Sequence, residues 1–242
     1  MELRGLNAIV TGGSRGIGRA VAIALAERGV NVGINFVRRE KEASRVLKEV
    51  EKRGVRGMML KADVSDARSV KMMVRQFVER FGRVDILINN AGVFPKNYRT
   101  VDITDDEWDW LLGINLRGAF LVTREVLRYM PDGGKIVNIS SIAGKMGGVA
   151  GPHYAASKAG LIGLTFALAS ELAGRRIAVN AVAPGPVDTE MIPDEIKERL
   201  ARITPLGRIA TPEEIAHTVI FLLENDYITG EVVDINGGRY MD

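Results

Sequence analysis

The feature that most constrains this chain is a repeated change of hydrophobic period. Short apolar runs of strand length alternate with longer segments whose apolar residues recur every three or four positions. Ala8-Ile9-Val10 is a buried strand ending at Thr11-Gly12-Gly13, and a helix is expected from about Ile17 to Arg28, stopped by Gly29. Val30 to Phe36 reads as a second strand, Glu40 to Arg53 as a charged amphipathic helix, Gly57 to Lys61 as a third strand and Asp66 to Phe81 as a third helix. Val84 to Ile88 is the fourth strand. A long helical stretch from Thr104 to Met130, a strand from Lys135 to Ile139, a helix from about Pro152 to Ala173 and a strand from Arg176 to Val182 continue the pattern. Parallel strands need crossover connections, so this order predicts an α/β fold: a doubly wound parallel sheet with helices on both faces.

The 242 residues are 46% hydrophobic, enough for a substantial core and against global disorder. No linker, low-complexity tract or repeat divides them, so a single domain over 1–242 is expected. The absence of Cys removes disulfides and thiol chemistry. His153 and His217, the only histidines, make no metal-ligand pattern, so no metal is expected. The net charge of +3 gives no argument for nucleic acid or membrane. The most apolar stretch, Ala159 to Ala169, is too short to span a bilayer, and the start Met-Glu-Leu-Arg-Gly lacks a signal-peptide pattern. A cytoplasmic protein is the expectation.

Thr11-Gly12-Gly13-Ser14-Arg15-Gly16-Ile17-Gly18 lies between the first strand and the first helix. Gly12 suits a tight turn, Gly16 a close backbone approach to a pyrophosphate, and Gly18 close packing of the helix. The helix start offers free N–H groups to an anion. At the end of the second strand, Asn35-Phe36-Val37-Arg38-Arg39 holds no acid to bind the ribose hydroxyls of NAD. Arg15 and Arg38 are the candidate pair for a 2′-phosphate, so NADP(H) is preferred over NAD(H).

Tyr154-Ala155-Ala156-Ser157-Lys158 places a phenol and an ammonium four residues apart on one helix face. An ammonium beside a phenol favours its ionised form and tunes it toward proton exchange near neutrality. Around this pair the chain carries Thr11 to Gly18, Asp63-Val64, Asn89-Asn90-Ala91-Gly92, Asn115, Ser140-Ser141, Pro184-Gly185 and Asn236-Gly237-Gly238, in that order. With these motifs the sequence resembles the short-chain dehydrogenase/reductase family over nearly its whole length. Within that family it is most similar to the reductases of 3-oxoacyl groups carried on acyl carrier protein.

The resemblance implies a Rossmann-type sheet of about seven strands and a catalytic set of Asn115, Ser141, Tyr154 and Lys158. Ser141, rather than Ser140, would hydrogen-bond the substrate carbonyl. Tyr154 would protonate that oxygen as hydride arrives from the nicotinamide. Lys158 would bind the nicotinamide ribose and lower the Tyr154 pKa, and Asn115 would hold a water leading from Lys158 to solvent. The implied cofactor contacts are Gly12, Ser14, Arg15, Gly16, Ile17, Gly18, Asn35, Arg38, Asp63, Val64, Asn90, Ala91, Gly92, Tyr154, Lys158, Pro184, Gly185, Val187 and Thr189.

The substrate pocket is expected between Phe94 to Arg99, Met146 to Gly151 and Thr189 to Thr204, under a covering helix from Glu195 to Arg202. His153 reads as a polar wall residue. Arg175 sits where a basic group would grip an acidic carrier protein, although the turn Met130-Pro131-Asp132-Gly133-Gly134 is acidic where a second basic residue would be usual. The helix from Pro152 to Ala173 is apolar on more than one face and calls for burial on both sides; the resemblance, in a family that pairs this helix and its predecessor between subunits, implies a homotetramer. Alternatives are a sugar, polyol or other secondary-alcohol dehydrogenase with the same catalytic set, and a noncatalytic dinucleotide-binding protein.

Overall fold

The structure, a computed structural model, describes residues 2–148 and 150–241. Its strands are β1 (Asn7–Val10), β2 (Asn31–Phe36), β3 (Gly57–Lys61), β4 (Ile86–Asn89), β5 (Lys135–Ile139), β6 (Ala178–Pro184) and β7 (Val232–Ile235). They form one sheet in the order β3-β2-β1-β4-β5-β6-β7, with every neighbouring pair parallel. The helices are α1 (Gly16–Glu27), α2 (Glu40–Glu51), α3 (Ala67–Phe81), α4 (Asp105–Leu112), α5 (Ala119–Val126), α6 (Ala143–Met146), α7 (Pro152–Leu172), α8 (Asp194–Arg202) and α9 (Pro212–Glu224).

Successive strand residues point to opposite faces, and the core divides accordingly. Ala8 and Val10 of β1 and Ile86 and Ile88 of β4 join Leu25 of α1 and Val219 of α9. Ile9 and Leu87 face the other way, onto Phe77 of α3, Val122 of α5 and Leu168 of α7. A sheet covered on both faces explains why the strands read as continuous apolar runs. Asp66 starts α3 by accepting from the Arg68 and Ser69 N–H groups at 3.2 and 3.0 Å. A capping box of Thr211 and Glu214 starts α9.

A row of buried polar side chains crosses the interior. Asn89 Nδ2 donates to Thr123 Oγ1 and to Asn138 Oδ1, both at 2.9 Å. Asn138 Nδ2 donates to Thr165 Oγ1 at 2.9 Å, and Thr165 Oγ1 donates to the Leu161 carbonyl at 2.8 Å. The row thus ties α5 through β4 and β5 to α7.

The helix expected over 104–130 is broken. α4 ends at Leu112, a π-helical segment occupies Gly113–Gly118, and α5 ends at Val126. A π turn widens the backbone while leaving the apolar repeat almost helical, so the sequence pattern passes through it unmarked. The strand expected from Arg176 starts at Ala178 and continues to Pro184, because Arg176 adopts a left-handed φ of +55°. The strand order reverses between β1 and β4, so a crevice opens beyond their carboxyl ends.

Candidate active site

The first turn of α7 carries Tyr154, buried at 8% exposure and hydrogen-bonded to the Ser141 side chain. The two serines after β5 separate cleanly. Ser140 Oγ donates to the Lys158 carbonyl at 2.9 Å and anchors α7, whereas Ser141 accepts from the Ala143 N–H at 3.1 Å and faces the phenol. Lys158 lies one turn further on, its Nζ 5.7 Å from the centre of the Tyr154 ring and donating to the Ile139 carbonyl at 2.8 Å.

Burial sets the charge states here. It pushes the Tyr154 phenol up to about 12, with the Ser141 hydrogen bond opposing, and pushes the Lys158 ammonium down to about 8. Loss of hydration thus acts on Tyr154 in the direction opposite to the lowering expected from Lys158, and favours the protonated phenol.

Asn115 sits on the π-helical segment, buried at 1% exposure. Its Oδ1 accepts from the Val93 N–H at 2.8 Å, while Nδ2 donates to the Val93 carbonyl at 3.1 Å and Ser157 Oγ at 3.3 Å. It clamps the segment after β4 much as a neighbouring strand would. A Cβ placed on Gly92 would lie 3.4 Å from Asn115 Oδ1 and 3.7 Å from Lys158 Nζ, so Gly92, Asn115 and Lys158 share one small space.

The glycine loop meets the segment after β4 at the strand-order reversal. Thr11 Oγ1 accepts from the Asn90 and Ala91 N–H groups, both at 2.9 Å, and Asn90 Nδ2 donates to the Thr11 and Gly12 carbonyls at 2.8 and 3.2 Å. Thr11 is a staple that was not among the expected site residues. Gly16 has φ +50°, and a Cβ on Gly18 would lie 2.4 Å from the Gly12 oxygen. The loop is therefore a backbone cradle that side chains would fill, and it fits a pyrophosphate. Ser14 is buried, and Ile17 packs on the core beneath the loop.

Asn35 is 1% exposed. Its amide is spent on the Gly12 N–H and the Leu60 and Ala62 carbonyls, so it supports the loop from below. Asp63, exposed at the end of β3, accepts from Ser65 N and Oγ at 2.9 and 2.7 Å, with Val64 buried beside it. Gly185 packs against Asn236, Val187 is buried, and the Thr189 methyl lies 3.2 Å from where a Gly16 Cβ would stand. Arg15 and Arg39 meet at one carboxylate: both Arg15 Nη1 and Arg39 Nη1 lie 3.0 Å from Glu190 Oε2. Arg38 is exposed, and none of the described residues pairs with it. Arg15 and Glu190 border a cleft of about 850 Å³ lined also by Ser14, Gly16, Arg45 and Thr189.

Around Tyr154 the walls are apolar: Leu111, Ala143, Ala150 and Phe94, whose ring lies edge-on to the phenol at 5.1 Å. Glu107 fixes this wall. It accepts from the Lys96 and Asn97 N–H groups at 2.8 and 3.1 Å and from Asn97 Nδ2 at 2.6 Å, with the Asn97 N–H foremost in holding its carboxyl down to about 2. His153, fully buried, lies 3.5 Å from the same carboxylate. It is a support behind the pocket rather than its polar wall. Only the capping pattern at Thr104 hints at Glu107 in the sequence. Within the expected segment Met146 to Gly151, Val149 lies outside the described residues. Among the described residues no cluster of His, Asp or Glu could hold a metal ion. No described helix is long and apolar enough to cross a membrane.

A family model described as Enoyl-(Acyl carrier protein) reductase matches residues 12–239. The 3-oxoacyl-[acyl-carrier-protein] reductase of Staphylococcus aureus is 42% identical over 97% of this chain and 98% of its own length. A solved short-chain dehydrogenase/reductase from Serratia marcescens superposes with a TM-score of 0.94 at 40% identity, over 99% of each chain. The chain belongs to the short-chain dehydrogenase/reductase family. A second member, a short chain dehydrogenase from Burkholderia cenocepacia solved in complex with NADP, superposes with a TM-score of 0.93 at 36% identity over 99% of each chain. The expected resemblance, seven-stranded sheet and Rossmann-type fold are all borne out, and this short-chain dehydrogenase/reductase carries its tyrosine, lysine and serine in one pocket.

Proposed function

We propose that the protein is an NADPH-dependent 3-oxoacyl-[acyl-carrier-protein] reductase. The observation that carries this reading is the Tyr154 phenol, hydrogen-bonded to Ser141 inside an apolar enclave with Lys158 one helical turn away. NADPH, when bound, supplies the hydride that goes to the carbonyl carbon. Ser141 and Tyr154 hold the carbonyl oxygen, and Tyr154 gives that oxygen its proton, leaving a secondary alcohol. Lys158 binds the nicotinamide ribose and stabilises the phenolate that Tyr154 becomes. Asn115 would hold a water that connects Lys158 to solvent, and solvent is the source of the proton that returns to Tyr154. The cradle of Gly12, Ser14, Gly16, Ile17 and Gly18 holds the pyrophosphate, with Arg15 and Arg39 on the 2′-phosphate. Asp63 and Val64 border the adenine. Asn90, Ala91 and Gly92 line the cofactor's length, and Pro184, Gly185, Val187 and Thr189 border the nicotinamide.

The apolar walls favour an acyl chain over a sugar or polyol. The S. aureus relative supports a carrier-bound substrate. Arg175, the expected carrier grip, is committed to its own turn: it pairs with Asp132 at 3.1 Å and donates to the Met130 and Leu127 carbonyls. The exposed groove lined by Trp110, Leu116, Phe120, Gly160, Gly163 and Leu164, between α4, α5 and α7, suits a second copy of the chain, and a homotetramer belongs to this reading. A cytoplasmic location does too, because the reductant is drawn from the cell's NADPH pool.

NADPH oxidation with acetoacetyl, crotonyl, sugar and diketone substrates tests the reading. Turnover of acetoacetyl thioesters is expected, faster on carrier protein than on coenzyme A, and with Tyr154→Phe losing at least about a thousandfold in kcat. Turnover of crotonyl thioesters alone, in line with the description of the matching family model, would replace it with an enoyl reductase.

A further inference from the structure

Glu190 stands on the segment between β6 and α8, its side chain 59% exposed, yet it is not a solitary surface acid. One of its oxygens lies 3.0 Å from a guanidinium nitrogen of Arg15 and 3.0 Å from one of Arg39. The two cations come from different connections: Arg15 from the glycine loop after β1, Arg39 from the residue that begins α2 after β2. Arg39 also reaches Glu42 at 3.6 Å. The adjacent Thr189 packs beside Gly16, so Glu190 is delivered from directly over the loop that cradles phosphate.

Two guanidiniums converging on one oxygen form an anion-binding node. Their planar forks suit a phosphate monoester, which offers three oxygens and nearly two charges where a carboxylate offers two oxygens and one. A ribose 2′-hydroxyl is neutral and does not displace a carboxylate from such a pair.

We propose that Glu190 is a specificity-determining residue of the cofactor site: its carboxylate gathers Arg15 and Arg39 and is exchanged for the 2′-phosphate of NADPH. This rests on the NADPH reading above. Glu190 competes for the donors the 2′-phosphate needs, so it tempers the preference for NADPH over NADH. It also eases release of NADP⁺, because the arginines regain an anion as the phosphate leaves.

Calorimetric titration of the intact protein with 2′,5′-ADP and with 5′-AMP tests the exchange. The wild type binds 2′,5′-ADP more tightly than 5′-AMP. Glu190→Gln, at an exposed position, binds 2′,5′-ADP roughly three- to tenfold more tightly still, as expected for removing exposed ion pairs, with 5′-AMP unchanged. That gain shrinks in higher salt and is largely lost in an Arg39→Ala background. If Glu190→Gln leaves the preference unchanged, or tightens both probes equally, the exchange is wrong while the NADPH reading stands. If the wild type does not discriminate between the probes, both fall together.

Discussion

Gly18→Ala is the sharpest test of how the glycine loop is built. The new Cβ would lie 2.4 Å from the Gly12 carbonyl oxygen and 2.5 Å from Asn90 Nδ2. Ordinary carbon–oxygen contacts begin near ~3.3 Å, so something must move by roughly 1 Å. Neither neighbour yields readily: the first is backbone in the turn with φ +61°, and the second holds the Thr11 and Gly12 carbonyls. Overpacking of this kind costs about 1–3 kcal/mol, and loosening the Asn90 hydrogen bonds adds about 1 kcal/mol. The loop is the expected phosphate cradle, so distorting it should weaken NADPH by the same ~2–4 kcal/mol, roughly 30- to 1000-fold in Kd. Quenching of intrinsic fluorescence on NADPH titration reads the affinity, and thermal melting reads the fold, with a drop of roughly 5–15 °C expected. Gly174→Ala, where a Cβ meets nothing within 4 Å, is the control. Binding within twofold of wild type together with an unchanged melting temperature in Gly18→Ala would show that the loop is not the rigid cradle described.

Arg39→Ala should cut the preference for NADPH over NADH by roughly tenfold, and Arg38→Ala much less; the opposite ranking in competition assays would return the phosphate contact to Arg38. Because burial holds Tyr154 protonated to about 12 and lowers Lys158 to about 8, the pH profile of carbonyl reduction should bend downward near 8, when Lys158 loses its charge, rather than near the ordinary phenol value of 10.0. A kcat/KM plateau extending past 10 contradicts this. The same lowering, from 10.5 in the unfolded chain, means the unfolded state binds more protons between about 8 and 10.5, so the Lys158 contribution to stability rises with pH across that window. Asn138→Leu leaves buried polar partners in Asn89 and Thr165 and should destabilise the protein by about 1–3 kcal/mol, read as a lower urea midpoint at constant m. An unchanged or raised midpoint would assign the row no structural role.

Much of this was legible in the sequence because the signals were local. The alternation of periods gave the layered sheet, since each strand is buried on both faces. The spacing of Tyr154 and Lys158 gave the catalytic turn, since four residues separate neighbours on one helix face. What escaped was set by geometry between distant segments. Arg38 and Arg39 are adjacent in the chain, and only the turn into α2, where Arg39 has φ −95° and ψ 63°, decides which one faces Glu190. Asn35 stands among the cofactor contacts the resemblance implies, but its side chain is taken up by the Gly12 N–H and by carbonyls of β3 and the segment just after it. The direction of the Tyr154 pKa depends on how much water the fold removes, which the Tyr-x-x-x-Lys pattern does not encode. Glu107 reaches residues 96 and 97 across a connection that no periodicity describes.

The polar row from Thr123 through Asn89 and Asn138 to Thr165 bears on how such an enzyme changes its substrate over evolutionary time. A helix seated on a sheet by greasy contacts alone has neighbouring minima one turn away, about 5.4 Å along its axis. In this protein each such slip would strand amides and hydroxyls in a dry interior. The register of α7 is thereby locked from its middle, far from the pocket, and Tyr154 and Lys158 inherit their positions from that lock. Residues 191–204, which carry none of these contacts, are then open to being lengthened, shortened or rewritten for new acyl groups without disturbing the geometry of proton delivery.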